Sequence, residues 1–412
     1  MSNNADVFVT FGNGDRALSV KCAITFDTPV TDFRFSLSTL LKIDSISTNT
    51  DAEWKIIKEW KPQWQHESNE IEVLSTTPMR ELTIEYHGRI DGWCNIIEEK
   101  RIALSAYSAW TISEPALPVK FFFKLKDLED YFVVNGRYNA AERVWIYGET
   151  EHDEGNIIAL KKGYYNVAGT GNFNFYYLNE AEQAYADNYI YYYDNIIKYY
   201  SSVFGKRDMA KMDVVSLDIE NSGGAYFRYE LIVIGKAHIS QDKSEIRESA
   251  ISFLGHELGH NWFAGANTSS WEDWLNETGA EWAALLYILS LNEKDFLEKR
   301  IVQMNKNEDY LNTPVIKPAD LKRPIWGVHT RGVMMFYEIY LKHGEETMLK
   351  ILQVLANLKE TGKEVTTDYF LSELKTKVDN KIPEIIEQGL TINDYAELLR
   401  KMEKQYRFNG KS

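Results

Sequence analysis

Across the first 160 residues, apolar and polar positions alternate in short runs separated by polar turns. The runs are "DVFVTF", "RALSVKCAITF", "TDFRFSLST", "ELTIEYHG", "VKFFFKL" and "ERVWIYGE". A period of two filled with β-branched and aromatic residues is the pattern of half-buried strands. It predicts an N-terminal all-β domain, a sandwich or saddle-like sheet, over residues 1–160. At "NEAEQAYADNYIYYYDNIIKYYSSVFG" the apolar spacing changes to three and four, which predicts a helix stopped by Gly205. Its tyrosines recur at helical spacing and are read as core packing rather than a ligand surface. Next, "KMDVVSLDI" and "YELIVIGKAHI" read as strands flanking the glycine-rich "ENSGGAYF", and from Ser244 onward the pattern is mostly helical. Residues 161–412 therefore form a second, α+β domain with a small sheet followed by helices.

A chain of 412 residues is too long for one ordinary core, which agrees with a multidomain reading. The formal net charge of -15 argues against nucleic acid and against anionic membrane as partners, because both attract basic surface. A small or peptidic ligand is expected instead. The two cysteines, Cys22 and Cys94, have no CxxC spacing, so they suggest core thiols rather than a disulfide framework or a thiolate metal site. The N-terminal stretch lacks a basic start followed by an apolar segment, and no apolar run approaches the ~20 residues that span a bilayer. A cytoplasmic location is expected.

The chemistry concentrates in "HELGHNWFAGANTSSWEDWLNETGAEW", His256 to Trp282. Asp242 and Ser244 can start the helix that carries it. His256 and His260 are four apart and so lie on one helical face, where both imidazoles can reach a single metal. Glu257 sits one residue round, placed to take a proton from a metal-activated water, which is the mechanistic content of HExxH. Glu277, near the start of the next helix, can supply the third protein ligand of a catalytic Zn2+ site, one ion per chain. Glu281 lies one turn further on the same face, where it can accept a hydrogen bond from a ligating histidine and fix its tautomer.

These residues resemble the gluzincin metallopeptidases, in particular the aminopeptidase N and leukotriene A hydrolase family, in which HExxH is followed by a Glu in "WLNEGFA". Here "WLNETGA" carries Glu277 after sixteen residues, two fewer than in the family. The resemblance implies a saddle-like β domain followed by a thermolysin-like catalytic domain. It puts the family's "GAMEN" substrate loop on "GAYFR", so that Gly223, Gly224, Ala225, Tyr226 and Phe227 become substrate-binding candidates. The loop Glu that grips a free N-terminal amine corresponds to Phe227, and Glu230 is expected on the opposite face of an extended strand. Recognition of a peptide backbone by the open strand edge can survive that change. The family's "YEKG", whose Tyr donates to the oxyanion, matches "HTRG". This puts His329 in the oxyanion role, with Arg331 beside the substrate and Tyr310, Tyr337 and Tyr340 as substitutes. The chain ends soon after "TTDYFLSELKTKVDN", a match to the catalytic domain's last helices, so the resemblance implies a short form with a more open cleft.

The expected function is a zinc-dependent peptidase, aminopeptidase-like but with degenerate recognition of the N-terminal amine, and with an endopeptidase mode open. Two alternatives stand beside it: a zinc hydrolase of a non-peptide substrate, and a non-catalytic scaffold that retains a zinc site. The sequence leaves the oligomeric state undetermined.

Overall fold

The computed structural model describes residues 3–12, 17–60, 67–90, 95–113, 115–147, 155–178, 180–207, 211–217, 225–228, 230–235, 242–268, 270–304, 308–316 and 327–401. The strands are β1 (Asn3–Phe11), β2 (Leu18–Ser38), β3 (Leu41–Thr48), β4 (Ala52–Trp60), β5 (Ser68–Gly88), β6 (Ile96–Ile97), β7 (Arg101–Leu104), β8 (Val119–Lys126) and β9 (Tyr131–Val133). They continue as β10 (Arg137–Asn139), β11 (Val144–Tyr147), β12 (Ile157–Lys161), β13 (Asn166–Thr170), β14 (Phe173–Tyr177), β15 (Met212–Ser216), β16 (Ala225–Arg228) and β17 (Leu231–Ile234). The chain divides into two compact units, one of residues 1–186 with 211–239 and one of residues 187–210 with 240–412.

The first unit is built from three sheets. The largest runs β10-β11-β8-β1-β2-β5-β3, with β4 also paired to β5. The predicted alternation is visible in it: Val7 and Val9 on β1, Cys22 and Ile24 on β2, and Leu82 and Ile84 on β5 are fully buried. Each such aliphatic side chain contributes roughly 1.5–3 kcal/mol of burial. A four-stranded sheet, β6-β7-β12-β9, forms the middle layer. On β12, Ile157 and Ala159 join the core beneath the large sheet, whereas Ile158 and Leu160 face a second core. That second core is closed by Tyr176, Val215, Leu231 and Val233 of the five-stranded sheet β13-β14-β15-β17-β16. The sheet expected in the 161–412 region is thus packed in the same compact unit as the N-terminal sheets. Cys22 is a buried free thiol, and burial pushes its pKa up; Cys94 lies outside the described residues.

The helices are α1 (Glu180–Phe204), α2 (Lys243–Ser249), α3 (Gly255–Gly259), α4 (Trp274–Ser290), α5 (Lys294–Met304), α6 (Glu308–Asn312), α7 (Gly327–Leu358), α8 (Thr367–Lys377) and α9 (Ile382–Thr391). The tyrosine-rich α1 ends at Gly205, whose φ of 96° is a conformation open to glycine, as its spacing predicted. Tyr189, Tyr192, Tyr193 and Tyr200 are buried as core packing requires, while Tyr191 is 65% exposed. The second unit centres on α4, which is buried along nearly its whole length. Trp274 and Trp282 pack edge-on or tilted against Phe336 of α7, and their indole N–H groups donate to Thr367 Oγ1 (2.8 Å) and the Val333 carbonyl (2.9 Å). The architecture is the expected one, a sheet-rich N-terminal region followed by a mainly helical region.

Candidate metal centre

The segment bearing the histidines begins where the sequence predicted, with Asp242 as N-cap accepting from the Ser244 amide (2.8 Å). It is not one uniform helix. Between α2 and α3 the chain makes a π-helical turn, Ala250–Leu254, directly before His256. Such a turn carries an extra residue and so changes the helical phase of the residues beyond it. Past the turn, α3 approaches α4 closely because both contact faces are small. A Cβ added to Gly255 would stand 3.2 Å from the Ala284 Cβ, and one added to Gly259 would stand 2.9 Å from the Ala280 Cα. Residue numbers rising on α3 meet numbers falling on α4, so the helices are antiparallel. That contact brings Glu277 and Glu281 to the two histidines.

His256 and His260 stand with ring centroids 4.9 Å apart and planes at 89°. His256 Nδ1 lies 3.0 Å from Glu281 Oε2, and His260 Nδ1 lies 3.2 Å from the Phe263 carbonyl oxygen. Both partners are acceptors, so each Nδ1 is the N–H donor, and in the neutral ring each Nε2 is the lone-pair nitrogen. Those Nε2 atoms converge on one oxygen, Glu277 Oε2, at 3.3 Å from His256 and 3.9 Å from His260. The donor atoms of His256, Glu257 and His260 all lie within 4.8 Å of one another, and Glu257 is buried. Two imidazole lone pairs and a carboxylate at one point suit zinc, and acceptors behind the imidazoles are the usual support of ligating histidines. The donor set therefore fits the metal expected.

Without a metal the surrounding carboxylates favour the proton on His256 Nε2 that a metal would have to displace. Burial works against the charged form of His256, but Glu277 and Glu281 outweigh it and hold its pKa well above the ordinary value. Burial would raise Glu277, yet His329 and His256 hold it well below the usual carboxylate range. Glu281, also opposed by burial, is brought down to about 2 by Arg300 and His256. Arg300, on α5, grips Glu281 through Nε (2.8 Å) and Nη2 (3.2 Å). No sequence signal marked Arg300, which is 19 residues away on another helix. The small residues four apart in "GHELGH" could have signalled the tight α3–α4 contact.

His329, in the first turn of α7, places Nδ1 3.1 Å from Glu277 Oε2 and is 40% exposed. It thus joins the cluster. Arg331 does not, which corrects its expected place beside the substrate. It is fully buried, donates to the carbonyls of Gly389 (2.5 Å) and Ile392, and lies over the Tyr395 ring at 5.1 Å. The cause is helical phase, since two residues past His329 is about 200° round the axis. Burial also lowers its pKa to about 10. Of the substitutes, Tyr337 is buried, and Tyr340 packs at 5.9 Å against the buried Trp282.

Of the candidate substrate loop, Gly223 and Gly224 lie outside the described residues, as do the side chains of Ala225, Tyr226 and Phe227. Their backbone forms β16, the outermost strand of its sheet, paired antiparallel with β17. Glu230 sits in the turn between β16 and β17 rather than in the extended strand expected.

No family model matches the chain. Among curated proteins, a probable M1 family aminopeptidase 2 of Encephalitozoon cuniculi is 36% identical over 104 residues, which is 21% of this chain and 12% of that protein. A probable aminopeptidase 2 of Sulfurisphaera tokodaii is 25% identical over 222 residues, 48% of this chain and 28% of the relative. The matches thus span less than a third of either relative. Among solved structures, yeast LTA4 hydrolase aligns with a TM-score of 0.66 at 13% identity, covering 95% of this chain and 67% of that one. An M1 zinc metallopeptidase from Deinococcus radiodurans aligns with a TM-score of 0.59 at 15% identity, covering 95% and 93%. The chain thus has the fold shared by LTA4 hydrolase and the M1 zinc metallopeptidases, and part of its sequence is similar to M1 family aminopeptidases.

Proposed function

We propose that this chain is a zinc-dependent peptidase, aminopeptidase-like, with residues 161–412 as its catalytic domain and a single Zn2+ held by His256, His260 and Glu277. The observation that carries the reading is the convergence of two Nε2 atoms on Glu277 Oε2, with both Nδ1 positions already committed to acceptors. When bound, the ion supplies Lewis acidity toward a carbonyl and acidifies water. Glu257 accepts the proton of the attacking water on its carboxylate and returns it to the leaving amine. Glu281, anchored by Arg300, keeps His256 in the tautomer that presents Nε2. His329 donates to the developing oxyanion, exchanging its contact with Glu277 for one with the substrate. The edge strand β16 of the first unit is of a kind to which a peptide backbone can add as a further strand.

No helix among the described residues is long and apolar enough to cross a membrane. The relatives named as aminopeptidases and the neighbour named as a zinc metallopeptidase support the peptide substrate class. The test is cleavage of a mixed peptide library, half with free and half with acetylated N-termini, read by mass spectrometry. Zinc-loaded protein, chelated protein and Glu257→Gln are compared. Loss of single N-terminal residues from the free pool alone makes it an aminopeptidase, and internal cleavage of both pools makes it an endopeptidase. Absence of zinc-dependent cleavage in either pool rejects the peptidase reading in favour of another hydrolase or a zinc-bearing scaffold.

A further inference from the structure

Strand β4 stands at an edge of the large sheet. Its ladder partner is β5, and among the described residues no strand pairs with its other side. Ala52 through Glu59 are all exposed, including Trp54 (43%), Ile56 (50%) and Ile57 (37%). A long edge strand with large apolar side chains in solvent is what soluble proteins avoid unless another strand covers it.

The strand's own sequence says which partner fits. Ile56 faces Ile71 and Lys58 faces Glu70, so Ile57 is the extra residue of a β-bulge. Before the bulge, Trp54 and Ile56 share the face of Val73 and Ile71, which are buried, while Glu53 and Lys55 take the other face. After it the parity is reversed, so that Lys58 lies on the face of Glu53 and Glu59 on the face of Trp54. Opposed residues in an antiparallel pair must share a face. If β4 met a second β4 about a two-fold axis, two of the registers that the bulge permits face Lys58 across the pair with a charged residue: with Glu53 or, slid by one place on each strand, with Lys55. The second sets lysine against lysine twice. The first sets acid against base twice, brings Lys55 opposite Lys55 on the axis with each already bridged to its own Glu72, and gathers Trp54 and Ile56 of both strands near the axis, on the face that continues the core. Ala52–Trp60 holds two Glu and two Lys, and is thus neutral within a chain of net charge -15. Two acidic copies can approach along this edge without local repulsion.

We propose that β4 pairs antiparallel with β4 of a second copy of this chain, Glu53 of each strand facing Lys58 of the other, so that the protein is a two-fold dimer joined through a continuous sheet. The contact does not depend on the metal centre or on the peptidase reading. The test is molar mass by light scattering and sedimentation over a wide range of protein concentration, on the full chain. Wild type is expected at twice the chain mass. Lys58→Glu, which sets carboxylate against carboxylate, is expected to weaken the dimer at least about tenfold. The charge-swapped Glu53→Lys/Lys58→Glu double variant is expected to restore it. Unchanged circular dichroism and zinc uptake in each variant show that the fold is intact. A wild type monomeric at every concentration overturns the proposal and leaves the edge to a strand of some other protein. A dimer indifferent to Lys58→Glu, or a double variant no better than the single, overturns it too, by placing the contact elsewhere.

Discussion

Two carboxylates in this molecule are gripped in nearly the same way. Glu72, in the large sheet, is 8% exposed and bridges Arg34 at 2.5 Å and Lys55 at 2.9 Å, its ladder neighbours on β2 and β4. Glu281, on α4, is 4% exposed and bridges Arg300 at 2.8 Å and His256 at 3.0 Å. Both pKa values are depressed against the effect of burial, Glu72 by Lys55 and Arg34, Glu281 by Arg300 and His256. The difference lies in what the partners can do. Lysine and arginine keep their protons throughout the physiological range, so Glu72 only ties three strands together. Histidine can give up one ring proton while Glu281 holds the other, and this exposes a lone pair to a metal. A buried carboxylate thus becomes part of a site through its partner's chemistry, more than through its own burial or charge.

The largest effect should separate both of these carboxylates from Glu257, the one proposed to move protons. Glu257→Gln is expected to lower turnover at least about a hundredfold while zinc content stays at the wild-type level. Loss of zinc along with activity would make Glu257 a structural residue like the other two. Next, Glu281→Gln is expected to weaken zinc binding about 10–100-fold in a chelator competition. It should also cost on the order of 3 kcal/mol, because it leaves the Arg300 charge half-paired in a largely buried place. Glu72→Gln should leave zinc affinity unchanged; equal effects from the two would erase the distinction between them.

A smaller effect tests how the helices bring Glu281 to His256. Gly259→Ala puts a methyl 2.9 Å from the Ala280 Cα. Overpacking of this kind costs about 1–3 kcal/mol, and zinc affinity should fall with stability as α3 and α4 separate. Unaltered affinity would show that the ligands do not depend on the close contact.

The smallest effect is in acid, on chelated protein. The Glu281 pKa is lowered from 4.5 to about 2 in the folded chain, so its stabilisation is complete above about pH 4.5 and is lost as pH falls toward 2. Thermal melts of Glu281→Gln should accordingly show a flatter decline than wild type across that window. Glu72 is depressed in the same direction, so Glu72→Gln should show the same sign with less amplitude. Its partners are half exposed or more, and added salt should remove its share first.

How far these groups could be read beforehand depended on sequence separation. Strands such as β1 and β8 were legible because alternation is local, and His256 with His260 because a four-residue spacing fixes a helical face. Glu277 was legible through its surrounding "WLNE". Arg300 was not, because nothing local ties an arginine on α5 to a glutamate on α4. Arg331 was misplaced because its motif neighbour His329 was followed along the chain and not round the helix. The π turn before His256 left no mark in an apolar pattern that reads equally well as continuous helix. Of the small sheet's strands only β15 and β17 were read as strands, β13 and β14 were missed, and the packing of the sheet against the middle layer depends on contacts with β12, which no local pattern contains.

That middle layer has a consequence for how the first unit comes apart. Because β12 gives alternate side chains to two different cores, neither core can lose its packing while the other keeps an intact wall. The two interiors are tied into one cooperative folding event by a strand of five residues. Local opening that frays the outer strands should stop at β12, whose amides would then exchange only when the whole unit unfolds.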